Sequence, residues 1–220
     1  MRRFVLLVAL VYVTGFASAG SGAEGTLSVP DGVKNVHITS PIYSELVLHR
    51  LPTTWNPLPA DQRDVGPTST RTYLPKGQSL DDWKDILIVQ SAYGWSKDWM
   101  NTPESFLRGL GRSHRALCGA DAIFEPLGET LVDGHPAYRA IIGCAAHPGK
   151  PGTGEINYFV AVRGTNDLYV FQRGMRVKGF SPDAPPMSAN TVGGLMKDIE
   201  PIAFCDWPAD KQGECKKTRS

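Results

Sequence analysis

Four stretches in the second half of the chain alternate hydrophobic and polar positions with a period of two. They run over 122–131, 137–146, 155–163 and 168–177. Turn-forming residues separate them: Asp133-Gly134, the stretch 147–154, and Gly164-Thr165-Asn166-Asp167. Period two with short glycine-rich connections predicts a four-stranded antiparallel meander. Earlier in the chain, 43–50 alternates partly and 71–74 reads as a short strand ended by Pro75-Lys76-Gly77. Pro52, Pro57 and Pro59 break the pattern between them, and 51–70 is expected to be loop.

Three segments show the helical period instead. Ser79 stands as an N-cap before Asp81 and Asp82, and Trp83, Ile86, Leu87 and Gln90 share one face, which predicts a helix over 79–91. Thr102, Pro103 and Glu104 form a clearer start. The stripe Phe106, Leu107, Leu110, His114 and Leu117 carries that helix to about 118, with Gly109 and Gly111 weakening its middle. A closing helix is predicted over 188–199. No repeat of 20–50 residues is visible. A meander with helices before and after it gives one α+β domain over 41–204, an antiparallel β-sheet covered by helices.

The N-terminus changes the picture. Arg2 and Arg3 precede an uncharged apolar run over 4–16, and Ala17-Ser18-Ala19 follows in an A-x-A pattern. This is a secretory signal peptide over 1–19, cut after Ala19, on the general secretory route. The apolar run is too short for a permanent span. No cysteine lies near the cut to accept a lipid, and no transmembrane segment is expected in the mature chain. The Gly- and Ser-rich stretch 20–40 is expected to be a flexible mature N-terminus, and 205–220 a polar C-terminal tail. Localisation is therefore periplasmic or secreted. Cleavage takes two positive charges from a formal net charge of +1, leaving the mature chain near neutral. Such a balance excludes nucleic-acid binding by charge alone.

Four cysteines remain: Cys118, Cys144, Cys205 and Cys215. An even count in an exported chain implies disulfides. Three pairings are possible, and proximity favours Cys118–Cys144 with Cys205–Cys215, the second of which would pin the tail. In the chain-entropy description each such loop contributes about 3 kcal/mol.

Several short segments carry a family resemblance. Leu51-Pro52-Thr53-Thr54-Trp55-Asn56-Pro57 is similar to the proline-tryptophan-asparagine-proline entry of PsbP proteins. Thr102-Pro103-Glu104-Ser105-Phe106-Leu107 is similar to their capped helix start. Asp133-Gly134-His135-Pro136-Ala137-Tyr138 and Asp167-Leu168-Tyr169-Val170 follow in a similar order. Over roughly 40–200 the chain resembles the Mog1/PsbP-like family. The resemblance implies an α/β/α sandwich and a non-enzymatic accessory or binding role.

Catalytic signatures are missing from the sequence. There is no G-x-S-x-G elbow, no S-x-x-K and no H-E-x-x-H. The stretch 143–150 has the wrong glycine spacing for a phosphate loop, and Pro151 stands where Ser or Thr would meet magnesium. The sharpest chemical alternative is a zinc site. His114 and Cys118 are i, i+4 on one helix face, and with Cys144 and His147 they make a Cys₂His₂ set. Against it, an odd spacing in a strand puts Cys144 and His147 on opposite faces, and a Cys118–Cys144 disulfide removes both thiolates. His37, His49 and His135 are isolated and expected at the surface. Trp83, Tyr93, Trp95 and Trp99 are expected to cap the core, and Arg163, Arg173 and Arg176 to lie on a solvated sheet face. The expectation is an exported protein that acts without catalysis or cofactor, by binding a protein or envelope component. A small zinc protein and a weakly marked secreted hydrolase stand as the alternatives.

Overall fold

The computed structural model describes residues 34–189 and 191–206. The signal peptide expected at 1–19, most of the expected mature N-terminus, and Cys215 lie outside the described residues. In chain order the elements are β1 (Asn35–Ile42), β2 (Glu45–Pro52), β3 (Asp61–Val65), β4 (Thr68–Tyr73), β5 (Asp85–Ala92), α1 (Pro103–Cys118), β6 (Ala122–Val132), β7 (His135–Cys144), β8 (Thr153–Arg163), β9 (Leu168–Lys178), α2 (Val192–Lys197) and β10 (Ala203–Asp206). A seven-stranded sheet has the order β3-β4-β5-β9-β8-β7-β6, and a three-stranded sheet the order β1-β2-β10. All pairings are antiparallel. The fold class is α+β, mostly antiparallel sheet with few helices.

The period-two pattern sorts the two faces of the large sheet. On one face Tyr138, Ala140 and Ile142 of β7 join Phe159, Ala161, Leu168 and Val170 beneath Leu107 of α1. On the other, Ala137 and Ile141 join Leu87, Val89 and Phe171 beneath Val47 and Leu51 of the small sheet and Val192 and Met196 of α2. The second face is thus covered by the small sheet together with a short helix.

Helix α1 begins as its sequence predicts. The Thr102 hydroxyl accepts from the Ser105 amide at 3.0 Å, and the Ser105 hydroxyl accepts from the Thr102 amide at 3.0 Å. Gly111 has a packing reason: a Cβ there would run into the Phe124 ring. The Cys118–Cys144 disulfide joins the last residue of α1 to the last residue of β7, with Cα atoms 5.7 Å apart.

Four expectations are corrected. The helix over 79–91 does not form; Asp85–Ala92 is β5, hydrogen-bonded between β4 and β9. Ile86, Ile88 and Val89 suit a strand flanked on both sides. The Ser79 cap signal closes only a turn, its hydroxyl accepting from the Asp82 amide, while Gln78 accepts from the Lys84 amide at 2.6 Å. The expected loop over 51–70 contains β3, a charged and largely exposed edge strand with no apolar alternation to betray it. The domain starts before 41, because Asn35–Ile42 pairs along the whole of β2. It also runs past 204, since β10 carries the chain to Asp206.

Candidate ligand-binding site

The layer between the two sheets holds two groups of charged side chains. The first is built on the β1–β2 and β8–β9 turns. Asp167 is fully buried. Its carboxylate accepts from the Gly94 amide at 2.6 Å, the Ser44 hydroxyl at 2.7 Å and the Ser44 amide at 3.3 Å. The Asp167 carbonyl accepts from the Ser96 hydroxyl at 2.7 Å. Glu45, also buried, accepts from the Thr165 amide at 3.0 Å. Gly164 must be glycine here, because a Cβ would meet the Glu45 carboxylate and the Tyr169 ring. Burial and the two carboxylates hold the Tyr169 phenol far above its ordinary range, so it stays a donor, bonding the Ile42 carbonyl at 3.1 Å. These bonds lock three turns together.

The second group lines a cavity of about 500 Å³. Its floor is Arg139, Tyr158 and Val160 on the large sheet, Arg139 lying opposite Val160 in register. Alternation with Ala137 and Ile141 puts Arg139 on the apolar face. Its other register neighbour is Gly128, at a β-bulge with φ 91°, which contributes no side chain. One wall is the end of β6, from Thr130 to Asp133. Asp133 and Gly134, with φ 52° and 81°, make the tight hairpin turn that the Asp-Gly pair predicts. The Asp133 carboxylate accepts from the Phe204 amide at 2.9 Å. Arg50 of β2 and the segment from Met196 to Ile202 close the far side. The Arg50 amide donates to the Ile199 carbonyl at 3.0 Å, which ties that segment to β2.

The guanidiniums of this cavity differ from those of Arg71, Arg163, Arg173 and Arg176. Arg71 is paired with Asp64 at 2.8 Å and Arg173 with Asp85 at 3.1 Å. Arg163 donates to the carbonyls of Asn101 at 2.9 Å and Ser96 at 2.6 Å. Arg176 lies over the Trp83 ring and reaches Glu155 at 3.6 Å. Arg50 and Arg139 are in no ion pair among the described residues, and the Nε atom of each is buried without a hydrogen-bond partner. A buried donor left unsatisfied costs about 1–3 kcal/mol. Burial pushes the Tyr158 phenol up, Arg139 beside it pulls it down and Glu200 adds to the rise, so the hydroxyl remains a donor at neutral pH. The lining thus offers donors from Arg50, Arg139 and Tyr158 beside the apolar side chains of Val160, Met196 and Ile202.

The four residues weighed as a zinc set are not available as one. Cys118 and Cys144 are bonded to each other. The His114 ring bonds the Leu110 carbonyl at 3.1 Å, and burial lowers its pKa. His147 accepts from the Gly149 amide at 3.1 Å. Among the described residues no group of three or more His, Cys, Asp and Glu side chains could hold a metal ion. Cys205 is disulfide-bonded, and Cys215, its expected partner, lies outside the described residues.

His49 is not at the surface. Its ring sits between Tyr73 and Phe171, 2% exposed, and bonds the Arg50 carbonyl at 3.1 Å. Only an N–H can donate to a carbonyl, so Nδ1 carries the proton and the buried Nε2 keeps its lone pair. Desolvation pushes its pKa down to about 4. Trp83 and Trp95 belong to the core, whereas Tyr93 and Trp99 are 54% and 79% exposed. Arg163, Arg173 and Arg176 bind the protein itself and leave no solvated row of charge.

Sequence reasoning missed Arg50 and Arg139. The signal was present for Arg139: a charge at the inward position of a strand, between Ala137 and Ile141. Arg50 carries no such mark, because its site depends on the register of β2 with the segment that follows α2.

No family model matches the chain, and no curated protein matches it. Among solved structures it is similar to a mutant of the protein Mog1, with 13% identity and a TM-score of 0.41, over 76% of this chain and 85% of that one. It is also similar to a protein from Bacteroides thetaiotaomicron VPI-5482, with 10% identity and a TM-score of 0.38, over 74% of this chain and 46% of that one.

Proposed function

We propose that the mature chain is an exported, non-catalytic binding protein of the periplasm or extracellular space, and that the cavity beside β6 holds its ligand. One observation carries the reading: a cavity of about 500 Å³ lined by two cationic side chains, Arg50 and Arg139, that form no ion pair among the described residues. That volume lies within the range of small-molecule sites. The lining offers charge and shape but no histidine, cysteine or serine. Export is supported by the signal-peptide pattern and by the Cys118–Cys144 disulfide. No helix among the described residues is long and apolar enough to cross a membrane.

The test has two arms. Expressed with its first 19 residues in a secreting host, the chain should leave the cytoplasm, and its intact mass should correspond to a start at Gly20. The mature protein should then be melted against a panel of small organic anions, cations and neutral compounds. Some member should raise the melting temperature in the wild type and fail to do so in Thr130→Trp, which fills the cavity wall. No stabilisation by any class, or equal stabilisation of the filled variant, removes the cavity as the binding site.

A further inference from the structure

We infer that this cavity is built for a single carboxylate carried on an apolar body, the acid group lying between the guanidiniums of Arg50 and Arg139. The inference rests on the binding role proposed above and names its ligand class. Three features of the lining lead to it.

First, the lining brings together two guanidiniums from different elements, Arg50 of β2 and Arg139 of β7, that form no ion pair among the described residues. An anion lying between the two side chains would accept charge-assisted bonds from both, each about twice as strong as a neutral one. The fold pairs its other buried arginines with carboxylates of its own, Arg71 with Asp64 and Arg173 with Asp85. A ligand carboxylate would repeat that arrangement with the acid supplied from outside. Second, the charge is limited. Arg50, Arg139 and Lys197 are cationic, but Asp133 and Glu200 share the same lining. A dianion such as a phosphate monoester would be repelled by both acids, while one negative charge is matched. Third, apolar side chains share the lining with these charges. Val160, Met196 and Ile202 are all less than a tenth exposed, and Leu131 adds an exposed apolar side chain on the wall. Such a surface receives a hydrocarbon or aromatic body, and Tyr158 can donate a further hydrogen bond to the acid.

The experiment is calorimetric titration of the mature protein with octanoate, octyl phosphate, octanol and octylamine. An N-acetylated dileucine with a free C-terminus is added to separate a free organic acid from a peptide end. Octanoate should bind measurably, and octyl phosphate, octanol and octylamine at least tenfold more weakly. Arg50→Gln and Arg139→Gln should each weaken octanoate about tenfold or more, as expected for losing a charged hydrogen bond. Glu200→Gln should tighten octanoate and raise the affinity for octyl phosphate by a larger factor. Glu200 is exposed, so this variant keeps the test alive if either arginine variant fails to fold.

Preference for octyl phosphate in the wild type would overturn the inference. So would octanoate binding indifferent to Arg50, Arg139 and Glu200. Octanol or octylamine binding in a manner abolished by Thr130→Trp, with octanoate inert, sinks the carboxylate and leaves the cavity as a binding site. Silence from every probe sinks both. Tighter binding of the acetylated dipeptide than of octanoate assigns the carboxylate to a peptide C-terminus, within the same chemistry.

Discussion

The buried Asp167 carboxylate and the half-buried guanidiniums of Arg50 and Arg139 lie in the same layer and are treated in opposite ways. Asp167 is surrounded by donors from Gly94 and Ser44. Arg50 and Arg139 face a cavity with Nε atoms that nothing in the fold satisfies. The first group has the pattern of a structural fastening, since its donors come from the turns at Ser44 and Gly94 and from Tyr169 of β9. The second has the pattern of a binding site, since unsatisfied buried donors lower stability and persist where they serve something else. The contrast can be broken by mutation. Truncation at the carboxylates should unfold the protein, and truncation at the guanidiniums should not.

Asp167→Ala gives the largest expected effect. It removes the acceptor for the Gly94 amide and the Ser44 hydroxyl and leaves both donors beside a void. The cost should be about 4 kcal/mol in urea denaturation at neutral pH. Asp167→Asn keeps the shape and part of the bonding and should cost less. A loss under 1 kcal/mol for the alanine variant would mean that the three turns are held by packing, and the comparison would lose its first half.

His49 sharpens the comparison by adding a buried base to the same layer. Its folded pKa is lowered to about 4 from an ordinary 6.5. Above pH 6.5 the ring is neutral in both states and has no effect on stability. Between 6.5 and 4 the unfolded chain takes up a proton that the folded chain refuses, so stability falls as pH falls. The loss should level off below 4, at about 3 kcal/mol. His49→Phe, which suits a slot between Tyr73 and Phe171, should flatten that window of the stability profile. An unchanged slope would show that other groups carry the acid sensitivity.

The disulfide lies outside both charge groups and serves as the control. It closes a loop with a sequence separation of 26, which the chain-entropy description values at roughly 3 kcal/mol. The double variant Cys118→Ala, Cys144→Ala should lose about that much. Because α1 packs on the opposite face, octanoate affinity should be unaltered. A change in affinity would couple the helix face to the cavity.

The legibility of these features follows their range in sequence. The meander was readable because each strand carries its own alternation and each turn its own residues, Asp133-Gly134 above all. Helix α1 was readable from Thr102-Pro103-Glu104, a cap that acts on its own first turn. β5 was misread because Ser79 and the acids after it satisfy a turn as well as a helix, and sheet pairing with β4 and β9 decided the outcome. β3 was missed because a polar strand has no apolar period, and β1 because its only apolar alternation, Val36 and Ile38, is short and follows a Gly- and Ser-rich stretch. The Cys118–Cys144 pair was legible from proximity and compartment. The cavity was not, because Arg50 and Arg139 are far apart in sequence and meet only once β2 lies over β7 and the chain returns after α2.

The smallest expected effect is the most discriminating one. Arg50→Met and Arg139→Met replace a half-buried cation that forms no ion pair among the described residues by an unbranched apolar side chain, next to Val160, Met196 and Ile202. Replacing an unpaired buried charge by a hydrophobe is near neutral or stabilising, because the desolvation cost is relieved and no ion pair is broken. Each variant should therefore lie within about 1 kcal/mol of the wild type in urea denaturation. As a yardstick, Arg173→Met breaks the ion pair with Asp85 and removes the cation from the Trp55 face, and should cost about 3 kcal/mol. If Arg50→Met or Arg139→Met costs as much as Arg173→Met, these side chains are structural after all, and the cavity between the sheets is only the space left by their packing. If both are silent in stability while octanoate affinity falls, two arginines in one layer have been separated from the rest by what they bind.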